Sequence, residues 1–297
     1  MLEPPTDLAA DLFHRMGVEG VYARTSLYLA VFQALDTYLS GWRDPRAEIM
    51  QFPPVMSRVQ LETSGYLDSF PNLLGCVCSL HGTEAAIRAG AARPESDGGW
   101  TSALGPTDLV LIPAACYPLY PLAAARGRLP ADGWWFDIAA ECFRREPSPL
   151  LHRLQSFRMR EFVRIGSAGD IVAFRERYMN GVARIAADLG LPYQIELASD
   201  PFFGRIGEIK AVSQRQQALK FELLIRLQPE TEPVACMSFN YHRDHFGRVW
   251  DFKDTRGDLV HTGCVAFGMD RLTLALFAIH GKDPTRWPEE TRRALAL

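Results

Sequence analysis

Residues 134–166 read WWFDIAAECFRREPSPLLHRLQSFRMREFVRIG. An apolar run, a polar and proline-bearing connection, and a second run that alternates strictly predict two strands of a hairpin with an unusually long connection. In the second run, alternation puts Phe157, Met159, Glu161, Val163 and Ile165 on one face. A carboxylate on an apolar face has to be paired or bound to a metal. Arg158, Arg160 and Arg164 offer pairing as the commoner remedy, so both readings stand at this point. Arg144 and Glu146, two residues apart, share a face at the end of the first run. The planar fork of an arginine fits a phosphate there, and an exposed cross-strand charge pattern is the alternative.

Further on, residues 261–281 read HTGCVAFGMDRLTLALFAIHG. A strand-like CVAF lies between Gly263 and Gly268, and the apolar residues Leu272, Leu274, Leu276, Phe277 and Ile279 predict a buried helix after it. Arg271 falls in the first turn of that helix, where the dipole disfavours a cation. It is either a surface arginine that snorkels or one held at a helix start to meet an anion.

The rest of the chain is read more coarsely. Residues 9–43 are predicted helical, and 48–73, broken by prolines and Gly65, are predicted strand and loop. Residues 83–92 and 208–220 read as short helices, 107–121 as an apolar strand ending in a proline-rich loop, and 170–191 as a long amphipathic helix. Strands are predicted in 193–204, 220–227 and 232–247. Antiparallel-looking strands with helices grouped around them suggest one α+β domain over residues 1–297, with residues 1–50 as an N-terminal helical segment packed on it.

Composition excludes several classes. The chain has 297 residues, 47% hydrophobic and 23% charged, with a net charge of -3. There is no global basic field for gripping nucleic acid, and no run of about 18 apolar residues for a membrane span. The start, MLEPPTDLAADLF, is acidic and lacks the basic region and apolar core of a signal peptide, so a cytoplasmic location is expected. Six cysteines, at 76, 78, 116, 142, 236 and 264, are then expected to be free. Cys76 and Cys78, a C-x-C on a strand, and Cys142 are read as packing. Cys116 and Cys264 sit beside apolar runs, where a buried free cysteine is commonplace. His242 and His245 are read as surface or substrate-rim residues.

The order of these pieces carries a resemblance. QFPPV (51–55), FRRE with RLQSFRMREF (143–146 and 153–162) and GCVAFGMDRL (263–272) resemble motifs 1, 2 and 3 of class II aminoacyl-tRNA synthetases, most closely the seryl branch. LETSGYLDSFPNL (61–73), ACYPLYP (115–121), SDPFFG (199–204) and HTGCVAFGMDRL (261–272) look like the amino acid:[carrier protein] ligases, truncated seryl-tRNA synthetase homologues. Each stretch is weak alone, but four in order along nearly the whole chain are a strong signal.

The resemblance implies a class II synthetase-like α+β fold, an antiparallel sheet flanked by helices, and a homodimer built partly on motif 1. It implies ATP-dependent activation of a small amino acid, glycine or alanine, as an aminoacyl adenylate. The aminoacyl group then passes to the phosphopantetheine thiol of a carrier protein, with no tRNA expected. It implies a zinc on Cys116, Glu161 and Cys264, with an open fourth position for the substrate amine. It assigns ATP to Arg144, Glu146, Arg153, Leu154, Phe162, Glu232, Ala235 and Arg271, with Arg144 and Arg271 catalytic and Mg²⁺ held with ATP near Glu232. Phe162 is the expected adenine-stacking ring. A regular strand sends it and Glu161 to opposite faces, so either a bulge serves both or one role is misassigned. Arg205, Lys210, Arg215 and Lys220 are expected to guide the carrier protein. Two rivals are a seryl-type tRNA synthetase, which would need an added tRNA-binding region, and a non-catalytic paralogue acting as a binding module, which would not need the phosphate-binding set.

Overall fold

The computed structural model describes residues 6–297; the first five residues of the expected N-terminal helical segment lie outside the described residues. The chain opens with helix α1 (Thr6–Leu12), a hairpin of β1 (Phe13–Arg15) and β2 (Tyr22–Arg24), and helix α2 (Ser26–Ser40). The helix expected over 9–43 is thus interrupted by a hairpin. Gly17 and Gly20 take positive φ between its strands, which reverses the chain where a helix would have continued. Thr25 caps α2 by accepting a hydrogen bond from the Tyr28 amide.

Next come β3 (Glu48–Phe52), β4 (Val55–Ser57), α3 (Arg58–Thr63), β5 (Cys76–Ser79), α4 (Glu84–Ala91), β6 (Gly105–Leu111) and α5 (Leu119–Ala124). Strands β4, β6 and β5, in that order, form a small antiparallel sheet. Cys76 and Cys78 are both exposed on it, so they do not serve as packing; Cys142 is buried as expected.

The long hairpin follows as β7 (Trp134–Phe143) and β8 (Ser156–Gly166), then α6 (Ala168–Asp188), β9 (Gln194–Leu197), α7 (Gly204–Gln216), β10 (Lys220–Ile225), β11 (Val234–Arg243), α8 (His245–Val249), β12 (His261–Gly268), α9 (Met269–His280) and α10 (Glu289–Leu295). Helix α6 begins with a reciprocal capping box between Ser167 and Asp170 and buries Ile171, Phe174, Tyr178, Val182 and Ile185 at helical spacing.

A seven-stranded sheet of order β3-β7-β8-β12-β11-β10-β9 is the frame. All its pairs are antiparallel except β3 with β7. Strand β8 lies near its centre, paired to β7 from Phe143↔Ser156 to Trp134↔Ile165 and to β12 from Gly268↔Met159 to His261↔Gly166, with no shift of register. One face of the sheet packs on α2, α6 and α9 through Phe162, Val265 and Phe267. The other carries Val163, Ile165 and Cys264 against the segment around α5 and α8.

Candidate active site

The second face opens into a cavity of about 1230 Å³. Unbroken pairing on both sides keeps β8 alternating, so Phe157, Met159 and Glu161 all line the cavity. Phe162 points the other way. It is 2% exposed and packs on Tyr178 and Phe267 at centroid distances of 5.5 and 5.0 Å. The adenine-stacking assignment of Phe162 is therefore overturned, because β8 contains no bulge. Phe157 is the aromatic ring of β8 on the cavity side, with the Arg144 guanidinium 5.4 Å from its centroid.

Cys116, Glu161 and Cys264 come together from the loop before α5, from β8 and from β12. Their donor atoms lie within 4.8 Å of one another, and all three residues are buried. The approach of β12 depends on Gly263: a Cβ there would stand 2.4 Å from Ile171 Cγ2 and 2.8 Å from the Asn240 carbonyl oxygen. The Cys116 amide donates to Glu161 Oε1 at 3.1 Å. Burial pushes the Glu161 carboxyl up from its usual range. The contact with Cys116, together with burial, pushes the Cys264 thiol well up. Left to itself the cluster holds protons, and a divalent cation would replace them; two sulfurs and a carboxylate suit zinc. The donor set thus fits the metal, and it is complete without any arginine.

Sequence reasoning missed the neighbours of this cluster. The Asn240 side-chain amide donates to Cys264 Sγ at 3.3 Å. His242, read as a rim residue, stands with Nε2 3.8 Å from the same sulfur, and Thr262 Oγ1 is 3.0 Å from its Nδ1. Burial pushes its imidazole down to about 4, so it is neutral at pH 7. The available signal was polar residues at alternate positions of an apolar strand, Ser238, Asn240 and His242 on β11.

The expected nucleotide residues line the same cavity: Arg144, Glu146, Arg153, Leu154, Glu232, Ala235 and Arg271. Arg144 Nε donates to the Pro113 carbonyl at 3.0 Å, and Arg153 lies 3.5 Å from Glu146. Glu232 is exposed in the loop two residues before β11. Arg271 is no surface arginine. Its Nε donates to the His152 carbonyl at 3.0 Å and its Nη1 to the Ala235 carbonyl at 2.9 Å. Burial, reinforced by Arg144 and Arg153, pushes its guanidinium down from the ordinary value, an environment that favours an anion.

The expected basic surface changes character. Lys220 is 8% exposed and held by Asp200 and Glu222 at 2.6 and 2.9 Å, so it is a buried cavity residue and no part of a docking patch. Lys210 bonds Ser69 Oγ at 3.1 Å. Arg205 and Arg215 are exposed as expected, and α7 with the residue before it also exposes a row of apolar side chains, Phe203, Ile206, Ile209 and Val212.

No model of a protein family matches the chain. Among solved structures, the fold is similar to that of seryl-tRNA synthetases. The Methanopyrus kandleri enzyme gives a TM-score of 0.78 at 23% identity, covering 95% of this chain and 58% of that one. The Pyrococcus horikoshii enzyme gives 0.67 at 16%, covering 94% and 58%. In sequence, the type-2 serine–tRNA ligase of Methanopyrus kandleri is 29% identical over 193 residues, 61% of this chain and 36% of that one. Two proteins of Bradyrhizobium diazoefficiens are far more similar. Amino acid–[acyl-carrier-protein] ligase 1 is 59% identical over 295 residues, 99% of this chain and 90% of its own length. Ligase 2 is 60% identical over 298 residues, 99% and 89%. With likeness at that level over nearly its whole length, on a class II synthetase fold, the chain belongs to the amino acid–[acyl-carrier-protein] ligase family.

Proposed function

We propose that residues 1–297 form one catalytic domain that activates glycine or alanine with ATP and delivers the aminoacyl group to the phosphopantetheine thiol of a carrier protein. The observation that carries this reading is the convergence in one cavity of the Cys116, Glu161 and Cys264 donors with Arg144 and Arg271. In the first step a substrate carboxylate oxygen attacks the α-phosphorus and pyrophosphate leaves. Arg144 and Arg271 stabilise the charge that moves between the phosphates, with Mg²⁺ accompanying ATP near Glu232. No general base is needed, because the carboxylate is already ionised at neutral pH. In the second step the thiol sulfur attacks the adenylate carbonyl, AMP leaves and the thiol proton is lost to solvent.

Zinc on Cys116, Glu161 and Cys264 would supply a Lewis-acid site for the substrate amine. Asn240 and His242 contact Cys264 Sγ and, with Met159 and Ala266, line the cavity, so they would limit the room left for the substrate. A pocket wall separates substrates differing by one methyl by only about 1–3 kcal/mol, so a short preference series rather than a single substrate is expected.

The carrier protein would dock on α7, where Arg205 and Arg215 are exposed along with the apolar row and where Ile206 and Ile209 of that row line the cavity. A homodimer through the motif 1 region and a cytoplasmic location, without tRNA or membrane as partners, complete the reading. Among the described residues no helix is long and apolar enough to cross a membrane.

The test is pyrophosphate exchange with a panel of amino acids, with and without a chelator, followed by transfer to a phosphopantetheinylated carrier protein. Exchange confined to small amino acids and abolished by the chelator is expected, with metal content lost in Cys264→Ala. Exchange undiminished by Cys264→Ala, or efficient charging of tRNA, would overturn it.

A further inference from the structure

Asp270, the second residue of α9 and the neighbour of Arg271, is only 2% exposed although it lines the cavity. Three elements donate to its carboxylate. Tyr28 of α2 gives its hydroxyl to Oδ1 at 2.6 Å, Arg24 of β2 gives Nε to the same oxygen at 2.9 Å, and the Arg158 amide of β8 reaches Oδ2 at 2.6 Å. The last bond has a topological cause. The β12 ladder with β8 ends at Gly268↔Met159, where β12 turns into α9. The next β8 residue, Arg158, pairs with Glu141 of β7 but has no partner on the β12 side, and there the Asp270 carboxylate accepts its amide.

The hairpin that supplies Arg24 makes a second grip. At its turn, the Gly20 carbonyl accepts from the Gln155 amide at 2.8 Å, and the Glu19 carbonyl accepts from Gln155 Nε2 at 2.7 Å. Gly20 has φ +73°, and a Cβ there would lie 3.1 Å from Gln155 Cγ, so only glycine combines this turn with this approach. Within two residues of the grips at Gln155 and Asp270 come Arg153, Leu154, Phe157 and Arg271, all lining the cavity. Arg24 has a further consequence. Its Nη2 is 2.8 Å from Asp270, so the carboxylate is neutralised from the hairpin side and does not cancel its neighbour Arg271.

We propose that the N-terminal hairpin β1–β2, acting through Asp270 and Gln155, is a positioning device for the nucleotide half of the site, which holds Phe157 in place and keeps the Arg271 charge available for phosphate. This rests on the ATP-dependent reading above.

The experiment measures kcat and both KM values in pyrophosphate exchange, and ATP binding by calorimetry, for wild type, Asp270→Asn, Arg24→Met, Arg24→Lys, Gln155→Ala and Tyr28→Phe. Expected are an ATP KM raised about tenfold in Asp270→Asn and Arg24→Met, a smaller rise in Gln155→Ala and Tyr28→Phe, and partial recovery in Arg24→Lys, with the amino acid KM within about twofold of wild type. Equal rises of both KM values, or a lower Tm with neither KM changed, would reduce the hairpin to a structural support and overturn the proposal. If Asp270→Asn does not fold, Arg24→Met and Gln155→Ala decide the matter by the same split. A wild type that binds ATP but shows no exchange would sink the functional reading alone, because calorimetry on the variants still tests the hairpin.

Discussion

Two arginines on opposite faces of the central sheet, Arg160 buried and Arg271 half-buried, are treated in opposite ways. Arg160 of β8, on the helical face, meets carboxylates. Asp137 takes two bonds from it at 2.9 and 2.6 Å, Asp36 lies 3.1 Å away, and Ser40 Oγ closes the set. Arg271, on the cavity face, hydrogen-bonds two backbone carbonyls and has Arg144 and Arg153 as electrostatic neighbours. A carbonyl dipole orients a guanidinium without cancelling its charge. Arg160 uses its charge to join β7, β8 and α2, whereas Arg271 keeps its charge uncancelled. Arg164, on the Arg160 face, is held by the Trp134, Ile165 and Asp132 carbonyls, so the contrast belongs to Arg160 and Arg271 rather than to every arginine of each face. Lys220 marks another limit of the contrast. It lines the cavity, yet Asp200 and Glu222 lock it, so it serves the wall rather than the phosphates.

The largest expected effects separate the two arginines. Arg271→Ala and Arg144→Ala should each lower adenylate formation by about 10²–10³-fold, the loss typical of a transition-state donor, while leaving the melting temperature nearly unchanged. Arg160→Met should do the reverse. It leaves buried Asp137 with only the longer 3.7 Å ion pair to Arg43, a defect approaching about 3–5 kcal/mol in unfolding free energy, but the folded fraction should keep both wild-type KM values. If Arg271→Ala destabilised the fold as much as Arg160→Met, the contrast between the two arginines would collapse.

A second pair sharpens the comparison within one strand. Phe162→Ala opens a cavity among Tyr178, Phe174 and Phe267 and should cost about 3–5 kcal/mol of stability without altering the KM for ATP. Phe157→Leu should leave stability within about 1 kcal/mol and raise the KM for ATP about tenfold, as expected for loss of one base-stacking ring. Denaturant melts and exchange kinetics on the two variants settle which ring faces the nucleotide.

These residues also mark where the sequence was legible. Strict alternation in β8 put Glu161 on the cavity face, and the hairpin with its long connection formed as read. The same alternation already conflicted with Phe162. Local period decides a side chain's face more firmly than position in a family motif does, and Phe157 satisfies both period and cavity. The convergence of Cys116 and Cys264 on Glu161 depends on contacts between residues far apart in the chain, which spacing does not encode; only the resemblance supplied them. The basic reading of α7 failed at Lys220 because a strand start looks the same as a helix end when only charge is counted. The hairpin at 13–24 was hidden inside an apolar run of helical spacing, and its two positive-φ glycines were the overlooked signal.

The smallest expected effect concerns His152, whose carbonyl accepts from Arg271. Burial, with Arg271 and Arg153, pushes its imidazole from 6.5 down to about 4. Above about pH 6.5 the ring is neutral in both the folded and unfolded chain, and it carries no penalty. Between there and about pH 4 the unfolded chain binds a proton that the folded chain refuses, so stability falls as the pH falls. His152→Gln should flatten part of that acid limb, and His242, pushed down to about 4 by burial, should account for some of the slope that remains. Bound ATP should narrow the difference further, because phosphates beside Arg271 and Arg153 offset the positive field that keeps His152 unprotonated. Melting temperatures of the two proteins from pH 7 to pH 4.5, with and without ATP, provide the check. Superimposable curves without ATP would remove His152 from the charged half of the comparison and leave Arg271 and Arg153 as its members.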